Sequence, residues 1–322
     1  MLTYLAKRLL QVIPLLLIIS MVSFFIMQLT PGDYLETLKM NPDISEELIN
    51  DLKIKYGLDK NPVEQYFRWL WRVLHLDFGR SFKWNAPVTD VIGSRLLNTL
   101  ILSLAAMIIS WGIAIPIGIH SAVKKYSWSD NILGIFAFIG LSIPNFFFAL
   151  LLLFLIVKFN LNLPIGGMTS VDYEWLSPWA KIIDILKHLL VPAIVLGTAS
   201  VAGLMRQMRG QMIDVMREDY IRTARAKGLK EKKVIYKHAF RNAINPLITI
   251  FGFQLSGLLS GAALTEIVTA WPGMGRMMLE AVRAKDIYLV MAGLMMGSIL
   301  LVIGNLVADI LLSVVDPRIR YD

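Results

Sequence analysis

About six apolar runs, each long enough to cross a ~30 Å hydrocarbon layer as a helix, restrict the folds open to this chain. They centre on residues 9–29, 99–119, 132–157, 189–205, 244–264 and 287–312. The runs are continuous rather than alternating, so spanning helices are expected and a barrel is not. Of the 322 residues, 56% are hydrophobic and 17% are charged. A soluble core of this size cannot hide so much apolar surface, and lipid is the expected solvent. The expected fold class is an all-α membrane protein with about six transmembrane helices.

The net charge of +8 raises nucleic acid as a partner, but the positions of the charges argue against it. Lys7 and Arg8 precede the first run, Lys124 and Lys125 follow the second, and Arg318 and Arg320 follow the last. The densest basic segment lies between the fourth and fifth runs, with Arg222, Arg225, Lys227, Lys230, Lys232, Lys233, Lys237 and Arg241. Positive flanks resist translocation, so both termini and this loop, 206–243, are expected in the cytoplasm. Residues 31–98 carry nearly balanced charge and are about as long as loops that cross regardless of charge. They are expected to form a large extracytoplasmic loop domain. The chain then divides into a first transmembrane helix at 1–30, the loop domain at 31–98, and a core at 99–322 holding five more spans. The first run ends at Thr30-Pro31-Gly32-Asp33 without a small-residue cleavage pattern, which predicts a retained span rather than a signal peptide. The chain has no Cys, which rules out a disulfide framework and a thiolate metal site.

Within the basic loop, Gly228 can end one short helix and begin another, because glycine enters the left-handed conformation without a Cβ clash. Residues 219–246 therefore read as a helix–turn–helix shaped for a partner. In the outer segment, 45–56 has helical spacing with Glu46 and Glu47 in its first turn. Residues 63–76 form a second candidate, with Phe67, Leu70, Trp71 and Leu74 as its apolar stripe. Tyr66, Phe67, Trp69 and Trp71 are placed to rest at lipid headgroups. This segment reads equally as a helical cap or as a docking surface for a soluble protein.

Two further outer loops are expected, one with Leu163-Pro164-Ile165-Gly166-Gly167 and Trp175 to Trp179, the other from Glu266 to Asp286. In the second, Trp271-Pro272-Gly273 predicts a tight bend that parks an aromatic at the interface. Gly197, Gly203, Gly252, Gly257, Gly261, Gly293, Gly297 and Gly304 enrich the last three spans. Gly257 with Gly261, and Gly293 with Gly297, have the spacing that lets helix backbones approach closely. Pro116, Pro144 and Pro192 are expected to kink their helices or break them near an end.

No G-x-x-x-x-G-K-[ST] stretch is present to cradle ATP phosphates. His75, His120, His188 and His238 are scattered, with no H-E-x-x-H pair for a metal. A nucleophile elbow and an intramembrane carboxylate pair are both lacking, which argues against an intramembrane enzyme. Asp309, a helical turn after Asn305, is the clearest ionisable group within a run and lies near its end. A self-contained secondary transporter would need acids near the midplane and an inverted repeat. The chain reads as a conduit without its own energy source.

The basic loop resembles the coupling loop of permease subunits of bacterial ABC importers, and most closely the peptide/nickel branch of dipeptide and oligopeptide permeases. The resemblance extends to Leu29-Thr30-Pro31-Gly32-Asp33, Asp77-Phe78-Gly79-Arg80-Ser81, Ser142-Ile143-Pro144-Asn145-Phe146, Trp271-Pro272-Gly273-Met274-Gly275-Arg276 and Asp316-Pro317-Arg318. It thus runs nearly end to end. Where the general signature has Glu-Ala-Ala, this chain has Arg222-Thr223-Ala224, with Gly228 retained; the peptide branch diverges similarly.

The resemblance implies a short coupling helix near 224–229 that inserts into an ATPase, with Tyr220 and Ile221 packed beneath it. The implied coupling residues are Tyr220, Ile221, Arg222, Thr223, Ala224, Arg225, Ala226, Lys227, Gly228, Leu229 and His238. Val234, Ile235, His238 and Ala239 are expected on the inner face of the next helix. Trp271, Pro272, Gly273, Gly275 and Arg276 are implied at an extracytoplasmic gate or docking surface. The implied partners are a paralogous permease, two ATP-binding-cassette ATPases and an extracytoplasmic substrate-binding protein in the bacterial inner membrane. ATP and Mg would be bound by the ATPases, and this chain would hold no cofactor or metal. Peptides are the expected cargo, with nickel chelates, glutathione and oligosaccharides as alternatives within the same importer class.

Overall fold

The computed structural model describes residues 2–29, 32, 34, 35, 45–55, 57–251, 254 and 263–315. These residues are overwhelmingly helical, and their one extended pairing is an isolated bridge between Arg80 and Pro87. Four helices are long and apolar enough to cross a membrane: α1 (Leu2–Leu29), α4 (Val88–Val123), α7 (Pro178–Val215) and α12 (Ile287–Val315). A fifth candidate is the pair α5 (Trp128–Ser142) and α6 (Asn145–Lys158), which meet at 101°. Within the sixth apolar run, 244–264, residues 252, 253 and 255–262 lie outside the described residues, as do Thr30, Pro31, Asp33, Arg318, Arg320 and the Asp316-Pro317-Arg318 stretch; Gly252, Gly257 and Gly261 are among them.

The helices outrun the apolar stretches that mark them. The 38 residues of α7 extend about 57 Å, well beyond a ~30 Å hydrocarbon layer. Pro178 starts α7 without wasting a backbone donor, and the Ser177 side chain accepts from the Ala180 N–H at 3.4 Å. Hydropathy finds only the lipid-matched middle of such a helix; its polar ends continue by packing and capping.

The chain divides into two compact units. One comprises Met1–Asn98 and Gly273–Val302, and includes α1, α2 (Glu46–Lys55), α3 (Pro62–Leu74) and α11 (Met274–Arg283). Its core joins Phe24, Tyr66, Trp69, Phe82, Ile287, Met291 and Met295. The stripe expected on α3 is corrected here. Phe67, Trp71 and Leu74 are exposed, whereas Tyr66 and Trp69 turn inward. Two stripes compete on this helix at the same period. The Tyr66 ring packs 5.5 Å from Phe24 while its hydroxyl lies 3.0 Å from Ser20 Oγ, so its polar tip keeps a partner on burial.

The same unit buries Asp286 just before α12. Its carboxylate accepts from Ser81 Oγ at 2.5 Å and from the backbone N–H groups of Lys83 and Leu289 at 3.1 and 3.3 Å. These bonds pin the 79–87 turn to the start of α12. Burial nevertheless pushes the Asp286 carboxyl above its ordinary range, outweighing the hydrogen bonds that oppose the rise.

The second unit comprises Thr99–Pro272 and Ile303–Asp322. Two glycines set the approach of α4 to α7. A Cβ on Gly118 would sit 2.7 Å from Met208 Cβ, and one on Gly197 would sit 2.9 Å from the Ala106 carbonyl. Pro144 divides α5 from α6, with Ile143 held extended at ψ 123° as the residue before a proline prefers. Pro116 and Pro192 lie inside continuing helices. Asp130 of α5 is bound by Arg209 of α7 through two bonds of 3.1 and 2.8 Å. Trp271 is not an interfacial anchor: it is fully buried with Leu102, Leu189 and Ala193. Its loop is drawn inward, with the Gly167 N–H donating to the Thr269 carbonyl at 3.0 Å. Gly166 permits this approach, since a Cβ there would come within 3.2 Å of that oxygen.

Candidate functional site

The basic loop builds its site on the far end of α7. After a turn at Arg217-Glu218, the chain forms α8 (Asp219–Ala226), with Asp219 in its first turn and Arg225 in its last, both favourable to the helix dipole. Ile221 and Ala224, one turn apart, face inward onto Met208 and Met212 of α7. Burying the Ile221 side chain contributes about 1.5–3 kcal/mol to holding α8 in place. Arg222, Thr223, Ala226 and Lys227 stand on its exposed side.

The end of α8 is a Schellman motif. Gly228 N–H donates to the Arg225 carbonyl at 2.9 Å and Leu229 N–H reaches the Ala224 carbonyl at 3.4 Å. Gly228 takes φ +71°, with nothing within 4 Å of where a Cβ would stand. Leu229 then packs against the Ile221 cluster. Across the turn, Arg225 donates to both Glu231 oxygens, at 3.2 and 2.7 Å. That hydrogen-bonded guanidinium holds the Glu231 carboxyl below its ordinary range.

The next stretch, α9, runs through Glu231–Lys233, a π-helical turn at Val234–Ala239, and Phe240–Ala243. An i→i+5 turn carries one more residue than an α turn. Val234, Ile235 and Ala239 are buried as expected, while His238 is only half-buried at their edge. Two sequence expectations need correcting. The helix ends at Ala226, so only the first half of 224–229 is helical. Tyr220 is not packed beneath it but 42% exposed, its hydroxyl accepting from Asn242 Nδ2 at 2.7 Å. The α8 side chain has a neighbour to bond on α9, which keeps it at the surface.

Beside this site, Lys230, Lys232, Lys233, Lys237 and Arg241 line an open groove of about 1090 Å³, floored by Leu229, Tyr236, Phe240 and Ile244. Sequence reading gathered these cations as charge but not as a groove. The π turn, which no compositional signal announces, helps set which side chains face it.

The residues expected at an outer gate or docking surface are largely buried. Trp271 sits in its own buried cluster, Gly273 and Gly275 are buried at the start of α11, and Pro272 is half-buried. Arg276 donates to Glu280 at 3.0 Å, and Glu280 also accepts from Lys83 at 2.7 Å. Sequence reading also missed Glu266, placed at a loop boundary from the sequence. It is fully buried in α10 (Ala263–Val268) and accepts from Thr99 Oγ1 at 3.1 Å. Among the described residues no group of three or more His, Cys, Asp or Glu could hold a metal ion.

Two sequence families match the chain. One, described as binding-protein-dependent transport system inner membrane component, matches residues 114–321. The other, described as the N-terminal part of a membrane component of such systems, matches residues 1–105. The chain is 42% identical over 323 residues to an oligopeptide transport system permease protein of Bacillus subtilis (strain 168), covering all of both chains. It is 36% identical over 337 residues to a dipeptide transport system permease protein of Escherichia coli (strain K12), covering 100% of this chain and 99% of the other. A putative peptide transport system permease protein of Brucella abortus (strain 2308) is 36% identical over 318 residues, 98% of each.

Proposed function

The chain belongs to the binding-protein-dependent transport system inner membrane components, and from that membership we propose that it forms half of a translocation path for peptides in an ATP-driven importer. It is a permease subunit and not an enzyme; ATP and Mg are the business of two partner ATPases. The peptide cargo follows the names of the relatives, which are oligopeptide and dipeptide permeases. An extracytoplasmic binding protein delivers the cargo, and a paralogous permease completes the path in the bacterial inner membrane.

The seating of α8 carries this reading. A short helix is fixed from below by Ile221 and Ala224, stopped by Gly228, and left with a charged outer side. Such an element transmits a push from a partner as a rigid body rather than absorbing it. In this reading the loop 206–243 faces the cytoplasm, α8 with the turn through Leu229 inserts into an ATPase, and closure of the ATPases rocks the two permeases between outward and inward access. Six spans are completed by the run at 244–264, with 31–98 as an outer loop domain separate from the 99–322 core. The Trp271 loop serves the outer side as a buried wedge rather than as a contact surface.

Co-purification of the tagged chain from its native membrane tests the proposal. A second permease and ATPase subunits are expected in the eluate. Recovery of the chain alone, intact and able to transport without ATP, would overturn it in favour of a self-contained carrier.

A further inference from the structure

The groove beside α9 borders Gly228 and Leu229 of the turn that ends α8, but most of its lining comes from α9. No acidic residue lines it, and Glu231, the acid of that stretch, is turned toward Arg225. Lys232, Lys233, Lys237 and Arg241 thus present a concentrated positive charge with no ion pair among the described residues. The floor is apolar, and Phe240 and Ile244 carry it toward the run at 244–264. Charge at one end and apolar surface leading into a membrane span at the other match an amphiphile. An acidic protein segment would use the cations and leave the floor uncovered.

We propose that this groove binds an anionic phospholipid of the cytoplasmic leaflet, its phosphate held by Lys232, Lys233, Lys237 and Arg241 and its first methylenes lying on Phe240 and Ile244. The bound lipid would brace α9, and through Arg225 and Glu231 the turn that ends α8. The inference rests on the cytoplasmic placement of the loop and on a partner at the α8 turn leaving the α9 side of the groove open.

The complex as purified, placed in nanodiscs of equal phosphatidylglycerol and phosphatidylcholine, gives the test by native mass spectrometry of retained lipid. The wild type should keep phosphatidylglycerol in preference. Neutralising Lys232→Gln, Lys233→Gln, Lys237→Gln and Arg241→Gln should erode the preference about fivefold per cation. An equal preference in wild type and variant, or none in the wild type, overturns the proposal. A photo-crosslinking residue at Tyr236 tests the wild-type charge set without those changes. A phosphatidylglycerol adduct supports the proposal, and an adduct to an ATPase or other protein in place of lipid overturns it. A sample that transports without ATPases or ATP yet retains the lipid would sink the importer reading and leave this inference standing.

Discussion

Gly228 shows what one missing side chain can decide. Space for a Cβ exists there, so the obstacle to substitution is the backbone at φ +71° alone. A left-handed residue other than glycine costs roughly 1–2 kcal/mol, and asparagine suffers less than most. Gly228→Val should therefore cut peptide uptake severalfold with the protein still in the membrane fraction, while Gly228→Asn should keep most of it. Equal uptake by the two variants would separate the cap from coupling. Asp286 gives a second residue-level expectation. Its raised pKa means the folded state keeps a proton longer than the unfolded chain, whose value is about 3.9. Between those two values folding takes up a proton, so stability falls as pH rises through the window and levels above it. Melting temperature in detergent should show that fall, and Asp286→Asn should flatten it. Gly228 was legible in the sequence because its role is local. Asp286 was not, because its partner Ser81 lies 205 residues away.

At the scale of elements, proline and amphipathic pattern carried unequal weight. Pro144 announced a break, and α5 and α6 part there at 101°. If the proline sets that angle, spin labels at positions 128 and 158 in Pro144→Ala should move apart toward the ~45 Å of one straight helix. An unchanged distance would assign the bend to packing of α5 on α7, where Asp130 meets Arg209. The chain's lack of Cys makes both label sites simple to introduce. For α3, periodicity gave the helix but not its inner face. Phe67-Leu70-Trp71-Leu74 and Tyr66-Trp69-Val73 share one period, and only the cross-chain partners Ser20 and Phe24 choose between them. The seat of α8 was half legible, since Ile221 and Val234 are apolar islands in a basic stretch. Its methionine bed at Met208 and Met212 was not, because both fall in the expected loop 206–243, past the apolar run at 189–205.

For the whole molecule, charge bias and family point the same way, and the orientation they imply is open to direct labelling. A single Cys at Val171, which is 99% exposed, should react with an impermeant maleimide added to intact cells. One at Lys232 should react only after the membrane is opened. The reverse pattern would turn the proposed topology over. The sequence disclosed how many apolar runs there were, but not that α7 would continue far past its own, because continuation depends on packing that hydropathy does not sense. The π turn at Val234–Ala239 has a consequence for descent. One residue fewer there would restore a plain α-helix and leave the downstream face where it stands, because the turn only absorbs the surplus residue. The same loss in the regular helix on either side would rotate everything downstream by about 100°. The segment thus marks the one stretch of α9 where a change of length can be taken up locally.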